Sequence, residues 1–157
     1  MENLKTPYQL FGREHEHGWD KLVDPVVEFI EKWNSEHPDD ENRIYIDQIK
    51  EKFSVLEIYV SNVPDDVAET LYTMISEAQK KSSNVCERCG SEENVGTVLT
   101  GWYRTLCERC VKNCIEHPEH EGLQYSTRNG VQWRRHSDSK VFRIFKVKDE
   151  VKVDELE

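Results

Sequence analysis

The 157-residue sequence lacks long hydrophobic runs. A membrane-spanning helix needs roughly 20 consecutive apolar residues, and no stretch of this chain approaches that length. The first residues also lack the basic segment followed by an apolar segment that a secretory signal requires. We therefore expect a soluble protein that is not secreted, resides in a cytoplasm and has no membrane partner.

Apolar residues are scarce as well, at 36% of the chain, and the mean hydropathy is −0.79. Chains this polar remain disordered when they also lack bulky side chains. Four Trp, six Tyr and five Phe supply that bulk here. The length suits one ordinary domain, or a small domain with a metal-stabilised module. The composition therefore predicts a folded protein of two parts.

Basic residues are outnumbered, and the formal net charge is −10. Residues 1–85 contain 18 acidic and 9 basic residues, residues 86–148 contain 8 and 11, and residues 149–157 contain 5 and 1. Such a net charge disfavours non-specific binding to nucleic acid or to anionic membranes. It remains compatible with a local basic surface in the middle region.

Two helical patterns flank a pair of strands in the first half of the chain. Apolar residues recur at helical spacing over residues 19–36, where Pro25 is tolerable only in the first turn, and again over residues 67–81. Between them, RIYIDQIK and VLEIYV predict two strands joined near Glu51–Ser54. Residues 1–18 show no period and are interpreted as an irregular loop. The pattern predicts an α-β-β-α layer.

Strand signals return towards the C-terminus. Asn129-Gly130 is a strong two-residue hairpin turn, and KVFRIFKVK predicts a further strand. The acidic residues from Asp149 onward are interpreted as a mobile tail. The predicted fold class is α+β. The predicted parts are an acidic α+β domain at 1–83, a four-cysteine module at 84–117, C-terminal strands packed on the rest at 118–148, and the acidic tail at 149–157.

Four of the five cysteines form two C-x-x-C pairs, namely Cys86 with Cys89 and Cys107 with Cys110. The 17 residues between the pairs give the spacing of a four-cysteine zinc site. Each pair lets one tight turn direct two thiolates at the same ion, and the intervening loop brings the pairs together. Gly90 supplies the permissive backbone that such a turn needs. The pattern therefore predicts one structural Zn²⁺.

Further potential ligands follow the second pair. Cys114 falls near the ligand face of a predicted helix that ends before Pro118. It is either a substitute ligand or, as we favour, a small buried hydrophobic residue. His117 and His120 could complete a site that lacked Cys110, although such residues are typical of a solvent-facing loop.

Known enzyme motifs are missing around these ligands. Zinc deaminases need H-x-E and then a proline before their C-x-x-C, whereas Val85 precedes Cys86 here. The paired histidines of zinc proteases are four residues apart, unlike those of His15-Glu16-His17. The segment VGTVLTGWYRTL has no histidine of the kind that treble-clef nucleases use. Redox use of the pairs is an alternative, but thioredoxin-like chemistry expects a single pair after a βαβ start. We expect no enzymatic activity.

Several segments resemble known proteins. Residues 84–117 combine a knuckle, a hairpin around Gly96 and Gly101, and ligands at the start of a helix, which resembles a treble-clef zinc finger. Over residues 18–115, DQIKEKFSVLEIYVSN, EAQKKS, VCERCG and GWYRTLCERC resemble a family of small proteins encoded by bacteria and their phages. That family usually has glycines after the EKF turn, where this chain has Ser54 and Val55. The resemblance implies the fold and a cytoplasmic setting, that of the host if phage-encoded, and carries over no activity.

A second candidate surface lies in an aromatic and basic block near the C-terminus, which includes Trp133, Arg134, Arg135 and Arg143. Aromatics that alternate with basic residues can stack bases and follow phosphates, or can bind an acidic protein segment. The ordinary alternative is a hairpin with a charged outer face, which the net charge favours.

These observations lead to one main functional prediction and two alternatives. The main prediction is a non-enzymatic, zinc-stabilised adaptor or inhibitor-like protein whose acidic front half binds another protein with a basic surface. The first alternative is a nucleic-acid-binding protein that uses the zinc module and the basic hairpin. The second is a metal-dependent enzyme.

Overall fold

The computed structural model of the protein describes residues 4–100, 102–114, 124–128, 131–135, 142–146 and 154–156. Its helices and two sheets confirm the predicted α+β class. The helices are α1 (Pro7–Phe11), α2 (Asp20–Glu36), α3 (Asp65–Ser82) and α4 (Glu108–Cys114), with 3₁₀ helices at His17–Trp19 and Asp40–Asn42. The strands are β1 (Arg13–Glu14), β2 (Tyr45–Lys52), β3 (Val55–Ser61), β4 (Val95–Thr100), β5 (Trp102–Cys107), β6 (Gln124–Thr127), β7 (Val131–Arg135), β8 (Phe142–Lys146) and β9 (Asp154–Leu156). Within these ranges no helix is long and apolar enough to cross a membrane.

The front half contains a three-stranded sheet with the order β1-β2-β3. β1 is parallel to β2, and β2 is antiparallel to β3. α3 packs against β3, and α2 packs against α3. The predicted order of helix, two strands and helix is therefore confirmed. β1 supplies the third strand that a lone hairpin needs for stability.

The prediction of an irregular loop over residues 1–18 is wrong, because this segment contains α1 and β1. The Thr6 hydroxyl accepts a hydrogen bond from the Gln9 N–H, while the Gln9 side chain accepts one from the Thr6 N–H. Pro7 follows the cap, where its fixed backbone suits the first helical position. This reciprocal capping box starts a helix too short to show a period.

α2 contains Pro25 beyond its first turn, so the prediction that Pro25 must lie in that turn is wrong. An interior proline removes one hydrogen bond to the carbonyl of Lys21 and costs about 3 kcal/mol. Lys21 and Pro25 are exposed, so water can bind the freed carbonyl. On the other side of the helix, Val23, Val26 and Ile30 are buried, at about 1.5–3 kcal/mol each. The free energy gained by burying these three side chains outweighs the cost of the interior proline.

The turn between β2 and β3 has an unusual backbone. The φ angle is +50° at Phe53 and +68° at Ser54, as both central positions of a type I′ hairpin turn require. A residue with a side chain adopts this conformation at a cost of roughly 1–2 kcal/mol. On β3, Leu56 and Ile58 are buried while Tyr59 is exposed, as the alternation of residues predicts.

The second sheet has six strands in the order β5-β4-β6-β7-β8-β9, all antiparallel to their neighbours. β6 and β7 pair on either side of Asn129-Gly130, a turn that lies outside the described residues. β8 is the strand predicted from KVFRIFKVK. The prediction of a mobile tail is wrong for β9, which pairs with β8. The register places Glu155 opposite Arg143.

The buried apolar residues form two clusters. The front cluster consists of Trp19, Val23, Val26, Val27, Ile30, Ile44, Ile49, Leu56, Ile58, Leu71, Ile75, Ala78 and Val85. The rear cluster consists of Cys86, Val95, Val98, Leu106, Cys107, Cys110, Val111 and Tyr125. We call residues 84–114 the rear module. Three of the four predicted metal ligands belong to its buried core.

Candidate metal centre

The first cysteine pair lies in a tight turn that follows α3. The backbone N–H of Cys89 donates to the Cys86 sulfur at 3.5 Å, and the N–H of Gly90 donates to the Cys86 carbonyl at 2.9 Å. Gly90 has a φ angle of +81°, which a residue with a side chain rarely adopts. This is the knuckle that the CERCG segment predicts.

The second pair lies where β5 ends and α4 begins. Cys107 is the last residue of β5, and Cys110 lies in the first turn of α4. β4 holds this junction in place, since Val95 pairs with Cys107 and the Asn94 carbonyl accepts from the Glu108 N–H at 3.0 Å. One helical turn then carries Cys110 back towards Cys107.

The four predicted ligands come together in one cluster. Their sulfur atoms all lie within 4.8 Å of one another, and those of Cys89 and Cys107 are 3.6 Å apart. A tetrahedral ion with metal–sulfur bonds of about 2.3 Å needs sulfurs about 3.8 Å apart. Cys86, Cys107 and Cys110 are buried, whereas Cys89 is exposed. The cluster thus has the donor type, number and spacing to hold one metal ion.

The sulfurs differ in their affinity for protons. Burial acts to raise the pKa of Cys89, but hydrogen bonds from the Ser91 backbone and the neighbouring thiols outweigh it and lower this pKa to about 6. Burial and a hydrogen bond with Cys89 raise the pKa of Cys107. Burial and a hydrogen bond with Cys107 raise the pKa of Cys110. Without a cation the cluster therefore favours a thiolate at Cys89 and thiols at Cys107 and Cys110, whereas a bound divalent ion deprotonates its thiol ligands.

Arg109 lies along the exposed side of the cluster. Its Nη2 atom is 4.0 Å from the Cys89 sulfur, and the hydrogen bond to Cys89 raises the pKa of Arg109. A cleft of about 350 Å³ opens beside it, lined by Ser91, Glu93, Asn94, Cys107, Glu108 and Arg109. Arg109 was not among the residues predicted from the sequence, although a basic residue between two ligands in C-E-R-C is a usable signal for a group that offsets thiolate charge.

The knuckle packs directly on the segment that leads into α2. Gly18 is buried, and a Cβ atom there would overlap the carbonyl oxygens of Cys86 and Glu87. Glycine is therefore required for this close backbone approach. The fully buried Trp19 donates its indole N–H to the Val85 carbonyl at 2.8 Å. No local sequence pattern could have predicted this contact, because its two sides are far apart in the chain.

Polar groups extend this contact. The Glu16 carboxylate accepts from Arg104 at 3.3 Å, and the Glu16 N–H donates to the Glu87 carboxylate at 3.1 Å. The Thr105 hydroxyl donates to the Ser54 carbonyl at 2.6 Å in a buried position. We call the surface where residues 16–19 and 54 meet residues 85–87 and 104–105 the seam.

Two titratable groups, the half-buried His15 and the buried Glu87, lie at or beside the seam. Among the described residues, neither the Nε2 atom of His15 nor one carboxylate oxygen of Glu87 has a hydrogen-bond partner. Burial lowers the pKa of His15 and raises the pKa of Glu87. His15 is not part of the cysteine cluster, and His17 pairs instead with Asp20 at 3.0 Å.

The other potential ligands lie at or beyond the limit of the described residues. Cys114 is the last residue of α4, and its side chain lies outside the described part of the chain. His117 and His120 lie entirely outside it. Their roles stay predictions.

The basic C-terminal residues are placed by their backbones alone. Trp133, Arg134 and Arg135 lie on β7, and Arg143 lies on β8 directly opposite Arg134. Arg143 is flanked on its other side by Glu155 of β9. The surface formed by these residues stays a prediction.

Comparison of the chain with protein-family models, with curated proteins and with solved structures gives no match. The metal centre is therefore interpreted from its own geometry. That geometry identifies a compact, largely buried set of four cysteine sulfurs at the base of the β4–β5 hairpin.

Proposed function

We propose that the protein is a non-enzymatic protein-binding module of adaptor or inhibitor type, whose rear module is held together by one structural zinc ion. The observation that carries this proposal is the four-sulfur cluster. Four protein ligands saturate a tetrahedral Zn²⁺ and leave no position for a substrate or a reacting water. A structural role is further supported by the three ligands that belong to the rear cluster.

The arrangement around the cluster supports a treble-clef-like zinc finger. The knuckle of Cys86 and Cys89, the β4–β5 hairpin and α4 follow one another in the order of that finger. Four thiolates in a tetrahedron suit either zinc or iron. We favour zinc, because it adds no redox chemistry of its own to a structural site.

Elemental analysis of the purified protein tests the metal. We expect one zinc ion per chain, since structural zinc sites have apparent binding free energies of about 10–16 kcal/mol. Cys86→Ser, Cys89→Ser, Cys107→Ser and Cys110→Ser should each lower the zinc content, whereas Cys114→Ser serves as the control and should not. Iron in place of zinc, or full zinc in any of the four ligand variants, would contradict the assignment.

The exposed side of α3 supports a basic protein segment as the ligand. Tyr72, which is 50% exposed, lines a shallow groove of about 490 Å³ with two acidic residues, Glu69 and Glu77, and one basic residue, Lys80. A Lys or Arg side chain can lie over a tyrosine ring and pair with neighbouring carboxylates. Asp65 and Asp66 in the first turn of α3 are also exposed. We call the surface of Tyr72 and these four acidic residues the α3 face.

Selection of peptides from a random display library for binding to the zinc-loaded protein tests the α3 face. We expect enrichment of Lys- and Arg-rich peptides whose binding weakens with salt and is lost in the double variant Glu69→Lys/Glu77→Lys. The double variant Glu28→Lys/Glu31→Lys is the matched control, since it reverses two exposed charges on α2 and should keep the binding. Selection of non-basic peptides, or equal loss in both variants, would exclude the α3 face.

Nucleic-acid binding is the second candidate function. It is supported by the register that places Arg134 opposite Arg143, which brings two basic positions next to each other on adjacent strands. We rank it lower because Glu155 lies opposite Arg143 on the other side and the net charge is −10. A metal-dependent enzyme ranks third, because a four-thiolate set leaves no open coordination position.

A further inference from the structure

The four sulfurs of the metal centre differ in their access to solvent. Cys86, Cys107 and Cys110 are 0%, 3% and 5% exposed, whereas Cys89 is exposed. Cysteines that react with oxidants are accessible from solvent, while buried structural cysteines are inert. Among the four ligands, Cys89 is therefore the sulfur that a small oxidant can reach.

Arg109 places a positive charge beside this exposed sulfur. Its Nη2 atom lies 4.0 Å from the Cys89 sulfur. A guanidinium has five N–H donors, so it can contact Cys89 and a bound oxidant at once. The adjacent cleft of about 350 Å³, which Cys107 and Arg109 line together with Glu93 and Glu108, has room for a small peroxide. Reactive cysteines are often partly exposed and adjacent to a basic side chain, as Cys89 is to Arg109.

A second sulfur is in position to react with an oxidised Cys89. The Cys107 sulfur lies 3.6 Å from that of Cys89. A disulfide bond is about 2.05 Å long, so a small movement of the exposed Cys89 side chain is enough to form it. An accessible cysteine beside a second, resolving cysteine is the usual arrangement in redox sensors.

We propose that hydroperoxides oxidise this pair and thereby release the metal, an inference that rests on the proposed zinc site. The Cys89 sulfur attacks a peroxide oxygen, so that an S–O bond forms, the O–O bond breaks, and the leaving oxygen takes up a proton to become water or an alcohol. The Cys107 sulfur then attacks the resulting sulfenic acid, which forms the disulfide and expels hydroxide, protonated to water. The two sulfurs lose two electrons and the peroxide gains them. Two of the four ligands are lost, and the ion dissociates.

The seam gives this reaction a structural consequence. The knuckle that carries Cys86 packs on Gly18, and the Val85 carbonyl just before it accepts from the buried Trp19. Loss of the ion frees the knuckle to move away from both residues. Oxidation of Cys89 is thereby coupled to exposure of Trp19 in the front half.

Hydrogen peroxide added to the zinc-loaded protein tests the inference. Zinc release is followed with a chromogenic chelator, and mass spectrometry of non-reduced peptides locates the disulfide. We expect one zinc ion released for each peroxide consumed, together with a Cys89–Cys107 disulfide. Reduction with dithiothreitol and added zinc should restore the metal content.

Two arginine variants test the local charge without removing a ligand. Arg109→Gln should release zinc about fivefold more slowly, because it removes a charge close to the reacting sulfur. Arg43→Gln changes the net charge equally on the front half and should release zinc at the wild-type rate. Equal rates in Arg109→Gln and wild type would overturn the proposed reaction site.

The zinc content is measured before oxidation, which separates two kinds of failure. A protein that contains no zinc overturns the proposed function and this inference together. A zinc-loaded protein that keeps its ion in peroxide overturns the inference alone. A disulfide that joins Cys114, or any pair other than Cys89 and Cys107, also overturns the inference alone.

Discussion

The front half and the rear module build their cores by different means. The front cluster contains no metal ligand, and its members come from the two long helices, the β2–β3 hairpin and the segments beside them. In the rear cluster, three of the eight members are cysteines of the metal centre. Hydrophobic burial can stabilise the front half, because it involves enough large side chains. The rear module has few of them, and we therefore expect it to need a bound ion to complete its core.

The seam decides how independent the two regions are. Gly18 and Trp19 of the front half contact the backbone of the knuckle, and Thr105 donates to Ser54 across a buried position. A metal-stabilised module attached by a flexible linker would have no such contacts. Tight packing between the two regions thus crosses the boundary near residue 83 that the sequence predicts.

Metal removal should have the largest effect and should affect the two regions differently. A structural zinc ion contributes about 10–16 kcal/mol of apparent binding free energy, which the rear cluster cannot replace. We expect a chelator to abolish amide-exchange protection at Leu106 and Val111, while Val27, Ile30 and Ile75 keep much of theirs. Hydrogen exchange with and without chelator measures both sets. Simultaneous loss of protection in both would show that the chain is a single cooperative unit.

Gly18→Ala should have the next largest effect, because it acts on the seam. The added Cβ overlaps backbone carbonyls that cannot rotate away, so we expect a loss of about 3 kcal/mol in the free energy of unfolding and weaker zinc binding. Gly12→Ala is the control, since no atom lies within 4 Å of an added Cβ there; its φ angle of +65° adds a backbone strain that Gly18 does not have.

Urea unfolding of the zinc-loaded variants measures this difference. Gly12→Ala should cost only about 1 kcal/mol, from its backbone conformation alone, and should leave zinc affinity unchanged. If the two variants lost equal stability, the close approach at Gly18 would contribute nothing, and the two regions would be more independent than the seam implies.

The features that could be predicted from the sequence have local causes. The cysteine spacing and Gly90 specify the knuckle within a few residues, and the periods of α2, α3 and β3 reflect one buried face on each element. The capping box of α1 also has a local cause. Thr6 and Gln9 have the spacing of a capping box, and the prediction was wrong because a helix of five residues shows no period.

The features that could not be predicted depend on distant residues. The need for glycine at position 18 arises from the backbone of Cys86, and β1 is a strand only because β2 lies beside it. Pro25 was misjudged for a related reason. Its local cost is fixed by the residue type, whereas the compensating burial of Val26 and Ile30 depends on α3 and the sheet.

Ser54→Gly should have the smallest effect and the opposite sign. Ser54 has a φ angle of +68°, which glycine adopts without strain, but glycine also gives the unfolded chain more freedom. These opposing terms leave an expected gain of about 0.5–1 kcal/mol in the free energy of unfolding.

Ser83→Gly is the matched control for the turn, because the φ angle of Ser83 is −64° and glycine relieves no backbone strain there. It should lower the free energy of unfolding by about 0.5–1 kcal/mol. Urea unfolding in zinc buffer and in chelator extends the comparison of the two regions. If the β2–β3 hairpin belongs to a front half that folds without metal, the gain from Ser54→Gly should persist after chelation. If it vanishes with the metal, the Thr105–Ser54 contact at the seam is what holds the turn in its left-handed conformation, and the two regions fold as one.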